Sequence, residues 1–272
     1  MTTAVDPASF VARDRYPLDD PTTADYVDLV SRARDQLAST GASELDGFLA
    51  TEGLAAMVAD ARQLETGAFR SGGQGTVYLG LPDESRPADH PRRYWGDYAV
   101  GAVAYDQFPA ESPIRRLYEW PPLLQFLTAV LDRGPIYPYA DPLGALNLAT
   151  MGEGDQLQWH FDQTDFVVSL ALRDAEVGGD FEVVPRIRST DDECYDEVAR
   201  LLAGDESDVV TLPMTPGTLL IFEGRNSIHR VSPISGSTSR LVGLFGYDTE
   251  PGTTSSELLK LVRYGRTGAV VS

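Results

Sequence analysis

Apolar residues recur along this chain with two periods. Tyr26, Leu29, Val30, Ala33 and Leu37 follow a helical spacing, which predicts an amphipathic helix over 25–39 stopped by Gly41. Leu54, Met57, Val58, Ala61 and Leu64 repeat that spacing and predict a second helix with Thr51 as its N-cap. Between them, Leu45, Phe48 and Leu49 fit a short strand or turn. Residues 70–100 are punctuated by Gly72, Gly73, Gly75, Pro82, Pro87 and Pro91 and predict a long loop. Residues 112–131 return to helical spacing, broken by Pro121-Pro122 into two pieces.

From about residue 143 the pattern shortens to strand-like runs at 145–150, 166–172, 179–184, 218–222 and 240–247, with a helical insert at 190–202. Short strands after a helical half predict an α+β chain with a mainly β core. The expected fold is a jelly roll, or double-stranded β-helix of cupin-like type, with an N-terminal helical layer outside. No linker stands out, so 1–272 is expected to form one domain. Its parts are a helical and lid region at 1–97, a β core at 98–252 and a C-terminal extension at 253–272.

Composition changes this picture little. The 42% hydrophobic and 23% charged residues suit a globular protein. A net charge of −19 opposes binding to nucleic acid or anionic membranes, leaving a small molecule as the expected partner. No apolar run is long enough to span a bilayer, and residues 1–14 lack a signal-peptide core. The single cysteine, Cys194, cannot close an internal disulfide, which fits the cytoplasm.

Candidate chemistry lies in the β half. Two of the three histidines fall on one pattern: His160-Phe161-Asp162, then His229, then Arg240 eleven residues later. Two imidazoles and one carboxylate form a facial metal site of the non-haem Fe(II) oxygenase type, with about three coordination positions left open. On a strand, the two-residue spacing places His160 and Asp162 on one face. A closed zinc site would want a fourth ligand, and Cys194 is badly placed to supply it. Arg240 opens an apolar strand, where a guanidinium needs a partner; its planar fork matches the far carboxylate of a 2-oxoacid.

These residues, together with AYDQFP (104–109), LYEWP (117–121), ADPLGALN (140–147), WHFD (159–162), GGDFE (178–182), GRNSIHRV (224–231) and YDTEPG (247–252), resemble the Fe(II)/2-oxoglutarate-dependent oxygenases. Within that group the chain is similar to the free-amino-acid radical halogenases and their hydroxylase relatives. The resemblance covers residues 98–252 and implies the double-stranded β-helix. It also implies His160, Asp162 and His229 as iron ligands, Arg240 as the 2-oxoglutarate anchor, O2 as co-reactant, and succinate and CO2 as products. In the halogenases of this group a small residue replaces the carboxylate ligand and leaves room for chloride. The carboxylate of Asp162 therefore favours hydroxylation. Desaturation or ring formation, and nucleoside or carrier-bound substrates, stay open alternatives, as does a non-catalytic metal-binding jelly roll.

Further candidates surround this set. Asn147, on the strand before the ligand loop, is placed to face 2-oxoglutarate, or to serve as a hydrogen-bonded core residue. Gln163 and Asp165 follow the ligand motif and are candidates for gripping a polar substrate, as against an ordinary polar turn. Arg93 on the expected lid offers a cation for a substrate carboxylate, and Asp248 an anion for an ammonium group. Arg225 and Asn226 precede His229 and are candidates for orienting the ligands. Trp159 is expected to pack away from the metal face by strand alternation.

Overall fold

The computed structural model describes residues 5–269. The expected helical layer is present: α1 spans Ala24–Thr40 and α2 Thr51–Leu64, while α3 (Pro113–Tyr118) and α4 (Pro121–Leu131) are the two pieces separated at the proline pair. Gly41 ends α1 in the left-handed region (φ 75°). Pro121 occupies the first turn of α4, where its missing N–H costs nothing. The start of α2 differs by one residue from the expectation. Ala50 takes the cap position without a side-chain hydrogen bond, and Thr51 is already helical. Tertiary packing sets this boundary, because Ala50 N–H donates to Phe10 O and Gly53 lies directly against the Phe10 backbone.

Thirteen strands follow in chain order. β1 (Ala42–Leu45), β2 (Phe69–Thr76) and β3 (Trp95–Ala104) lie in the N-terminal part. Next come β4 (Tyr137–Pro138), β5 (Leu146–Met151), β6 (Gln156–His160) and β7 (Val167–Arg173). β8 (Phe181–Val184) and β9 (Val210–Leu212) flank α5 (Tyr195–Leu202). β10 (Leu219–Phe222), β11 (Ile228–Val231), β12 (Arg240–Phe245) and β13 (Tyr247–Asp248) precede a last helix, α6 (Glu257–Tyr264).

Eleven strands form one antiparallel sheet in the order β1-β10-β7-β12-β5-β3-β6-β11-β8-β9, with β2 added to β3; β13 and β4 pair separately. β3 carries the turn of the sheet, since residues 101–104 pair with β5 while Tyr98 and Ala99 pair with β6. The sheet curls into the half-barrel of a jelly roll.

Alternation along the strands divides the core. Leu146 and Leu148, Val168 and Leu170, Leu219 and Ile221, and Leu241 and Phe245 face outwards. There they meet Leu29 and Ala33 of α1, Met57 of α2, Ile114 of α3 and Phe126 of α4. Met151, Ala171, Phe181, Leu220, Phe222 and Val231 face inwards. β10 is therefore apolar throughout, because both of its faces are covered.

Two expectations are corrected. Residues 70–100 are not simply a loop: β2 and residues 95–102 of β3 form an eight-pair antiparallel ladder. Glycine replaces the usual β-branched residues of β2 because its neighbours come close. A Cβ at Gly72 would lie 3.2 Å from Tyr98 O, and one at Gly75 would lie 2.9 Å from the Gln158 side chain. The C-terminal extension also carries an unforeseen helix, α6.

Candidate metal and cosubstrate site

His160 ends β6 and His229 is the second residue of β11; the two strands pair so that these histidines are direct register partners. Residues separated by 69 positions are thereby placed ring to ring, with centroids 4.2 Å apart. Asp162 is not on the strand, contrary to the spacing argument. The chain leaves β6 after His160, where Phe161 N–H donates to Val77 O and Asp162 N–H donates to Gly224 O at 3.0 Å. This turn still carries the Asp162 carboxylate back to the histidines, with Oδ2 3.4 Å from His229 Nε2. One donor atom from each of the three residues lies within 4.8 Å of the others.

The protonation pattern suits a metal. His160 Nδ1 is 2.8 Å from Gln158 O, and His229 Nδ1 is 2.9 Å from Ser227 O. A carbonyl only accepts, so each Nδ1 carries the proton and each Nε2 turns a lone pair towards the shared space. Burial pushes His160 down to about 4, with His229 opposing its charge in the same direction, so its ring is neutral at physiological pH. His229 is buried between the rings of Phe181 and Phe222 at 5.5 and 5.0 Å, which hold it in place and exclude water. The residues present therefore fit a divalent ion of the iron type.

Gly224 makes room for the carboxylate. A Cβ there would stand 2.1 Å from Asp162 Oδ2 and 2.9 Å from its Cγ, and the short Asp side chain is tethered by its own backbone bond to Gly224. Gly224→Ala is expected to displace the carboxylate and lower Fe(II) affinity roughly 10- to 100-fold, the scale seen when a supporting contact of a metal site is lost. Anaerobic Fe(II) titration checks this, and an unchanged affinity would remove Gly224 from the site.

Arg240 and Asn147 lie on the inner face of the major sheet. Arg240 is the register partner of Met151, and Asn147 that of Leu244, about 13 Å further along β12. Both are buried. Burial lowers Arg240 to about 10, partly offset by the fields of Asp174 and Asp180. Among the described residues no carboxylate lies within 4.0 Å of its guanidinium, so the fork is left available.

The other candidates are spread around the rim. Asp165 pairs with Arg225 and, at 3.5 Å, with Arg133; Arg225 also donates to Gln163 O. Arg225 thus clamps the loop that follows Asp162 and does not touch the ligands. Asn226 serves a backbone turn through its N–H to Glu223 O. Arg93 pairs with Glu84 at 2.9 Å and donates to Arg86 O within its own loop. Asp248 sits in β13, where its charge bears on Tyr139. Trp159 is buried on the opposite face from His160, beneath Arg230. Sequence reasoning missed Gly224, whose closeness to the Asp162 carboxylate no spacing argument marks.

Residues 93–258, more than half of the chain, match the family model described as Halogenase D. The chain belongs to the Halogenase D family. No curated protein matches it. Several solved structures share the fold of this Halogenase D family member. The non-heme alpha ketoglutarate dependent carbocyclase SnoK from nogalamycin biosynthesis superposes with a TM-score of 0.57 at 16% identity, over 93% of this chain and 97% of that one. The non-heme alpha ketoglutarate dependent epimerase SnoN from the same biosynthesis gives 0.55 at 17%, over 90% and 97%. AviO1 from Streptomyces viridochromogenes Tue57 gives 0.55 at 20%, over 83% and 97%. Likeness at these identities establishes the jelly-roll fold and leaves the reaction to the site. Among the described residues no helix is long and apolar enough to cross a membrane.

Proposed function

We propose that this Halogenase D family member is an Fe(II)- and 2-oxoglutarate-dependent hydroxylase of a small polar substrate, a free amino acid or close derivative, with residues 1–272 acting as one domain. The observation that carries the reading is the meeting of His160, Asp162 and His229 on one side of the curled sheet, with Arg240 buried and unpaired on its inner face. In this reading the two Nε2 atoms and the Asp162 carboxylate hold Fe(II). Arg240 takes the far carboxylate of 2-oxoglutarate through its fork, and Asn147 offers an amide on the same face. Phe181 and Phe222 keep water from one side of the site. When bound there with 2-oxoglutarate and O2, Fe(II) would supply the oxidising power for an unactivated C–H bond, with succinate and CO2 as the coproducts.

A second reading, chlorination, is favoured by the family's description as a halogenase. The intact Asp162 carboxylate, with Gly224 cleared to receive it, supports hydroxylation instead. The enzyme reading is tested by Fe(II)-dependent conversion of 2-oxoglutarate to succinate across a panel of free amino acids, with product masses read for a gain of one oxygen. No succinate above the metal-free background would overturn it. Arg240→Ala should weaken 2-oxoglutarate by roughly 1.5–3 kcal/mol, the worth of a hydrogen bond to a charged group. An unmoved KM for 2-oxoglutarate would assign that carboxylate to another cation.

A further inference from the structure

The Asp162 carboxylate is carried by a short turn that leaves β6, and the residue between the two ligands packs on the other side of the sheet. Phe161 is buried on the outer face, beside Trp159, Val184 and Ile228. As chain neighbour of both His160 and Asp162, it anchors their turn from behind. Arg188, in the connection between β8 and α5, lies against this anchor. Its guanidinium carbon stands 3.9 Å from the centre of the Phe161 ring, and Tyr78 meets the same ring at a centroid distance of 5.3 Å.

Arg188 also reaches the second turn that meets at Asp162. Its Nε donates to Arg225 O at 2.7 Å, and its backbone N–H donates to Asn226 O at 3.3 Å. Arg225 follows Gly224, whose carbonyl accepts the Asp162 N–H and whose missing Cβ leaves room for the carboxylate. One guanidinium therefore touches the residue before Asp162 in one segment and the residue after Gly224 in the other. Its charge is met by Glu193, whose Oε2 accepts from Nη1 at 2.7 Å while Oε1 pairs with Arg92 at 3.1 Å. Only 12% of the Arg188 side chain is exposed, so these contacts are made largely out of water, where they are strongest. A planar guanidinium stacks with its face and donates with its edge, which an ammonium cannot do.

We infer that Arg188 is a positioning residue for the metal centre: by holding Phe161 and Arg225 together it sets the Asp162 carboxylate opposite His160 and His229. The inference rests on the reading of these three residues as metal ligands. Arg188 lies behind the ligands and acts through Asp162. Without its guanidinium, the turns at 161–162 and 224–226 keep their backbone hydrogen bond, but nothing on the outer face fixes their separation. The carboxylate then loses its place. The two histidines keep theirs, because the pairing of β6 with β11 holds them. The loss falls on one ligand of three.

The test uses Co(II), which binds a nitrogen and oxygen site more tightly than Fe(II) does and whose visible absorption responds to its ligand set. Full-length wild type, R188M, R188K and R200M are titrated with Co(II) by calorimetry and absorption, and each is melted. R200M removes an exposed arginine of α5 and should match wild type. R188M keeps an unbranched apolar side chain over Phe161. It should bind Co(II) roughly 10- to 100-fold more weakly, the scale for a lost supporting contact. At saturating Co(II) its spectrum should move away from wild type towards that of D162A. R188K can still meet Glu193 but has neither flat face nor fork, so it should recover the melting temperature and not the affinity. Wild-type affinity in R188M or R188K would overturn the inference, and R188K carries the test should R188M not fold. A wild-type spectrum in saturated R188M would overturn it too, by showing the carboxylate still on the metal. Failure of wild type itself to bind Co(II) would overturn the metal reading and the inference with it, whereas binding that survives in R188M overturns the inference alone.

Discussion

Alanine in place of His160, Asp162 or His229 is expected to abolish succinate formation while leaving the melting transition nearly where it was. Each side chain is one of only three protein donors, so its loss should exceed the roughly 10- to 100-fold effect of removing a group that merely orients a ligand. Stability should survive because the cluster lies apart from the main packing. The largest apolar cluster joins the outward faces of β5, β7, β10 and β12 to the four N-terminal helices, and none of the three residues belongs to it. His229 is the most buried of the set and stacks on Phe181 and Phe222, so His229→Ala should cost the most stability, through a cavity. Succinate assays and thermal melts on the three variants separate the two effects. Near-full turnover in any one of them would remove that residue from the metal site.

The clustering of His160, Asp162 and His229 was legible in sequence because metal chemistry of this kind needs particular residue types and the strands around it are apolar enough to be recognised. With three histidines in the whole chain, the His160, Asp162 and His229 order left few competing assignments. What spacing could not supply was the path. Asp162 reaches His229 through a turn fixed by hydrogen bonds to Val77 and Gly224, from segments 85 residues before it and 62 after it. The same limit hid β2, whose Gly72, Gly73 and Gly75 read as loop punctuation. The function of Gly72 and Gly75 as close-approach positions exists only once Tyr98 and Gln158 are in place. α6 is short, and Leu258, Leu261 and Val262 on it remain exposed, so its apolar pattern gives no direction. Its position is set by ion pairs to Asp106 and Asp141, more than a hundred residues earlier. The helical layer shows the converse. α1 and α4 were readable almost residue for residue because they bury one continuous stripe on the sheet.

Wild-type enzyme turned over in the presence of chloride is expected to yield a product heavier by one oxygen and free of chlorine. The cause is spatial. Asp162 brings a carboxylate to within 3.4 Å of His229 Nε2, where a halogenating site needs a small residue and an open coordination position. Gly224 shows that the backbone opposite is shaped for this carboxylate, since any larger residue there would collide with it. Asp162→Gly should therefore remove most hydroxylation, because a ligand is lost. In high chloride it should open the position a halide needs. Chlorinated product requires a second condition, that the substrate carbon lie nearer the halide than the oxygen. This positioning falls to the groups that hold the substrate. Mass spectrometry of products from wild type and Asp162→Gly, with and without chloride, decides the matter. A dominant chlorinated product from wild type would overturn the hydroxylase reading, however well the carboxylate fits.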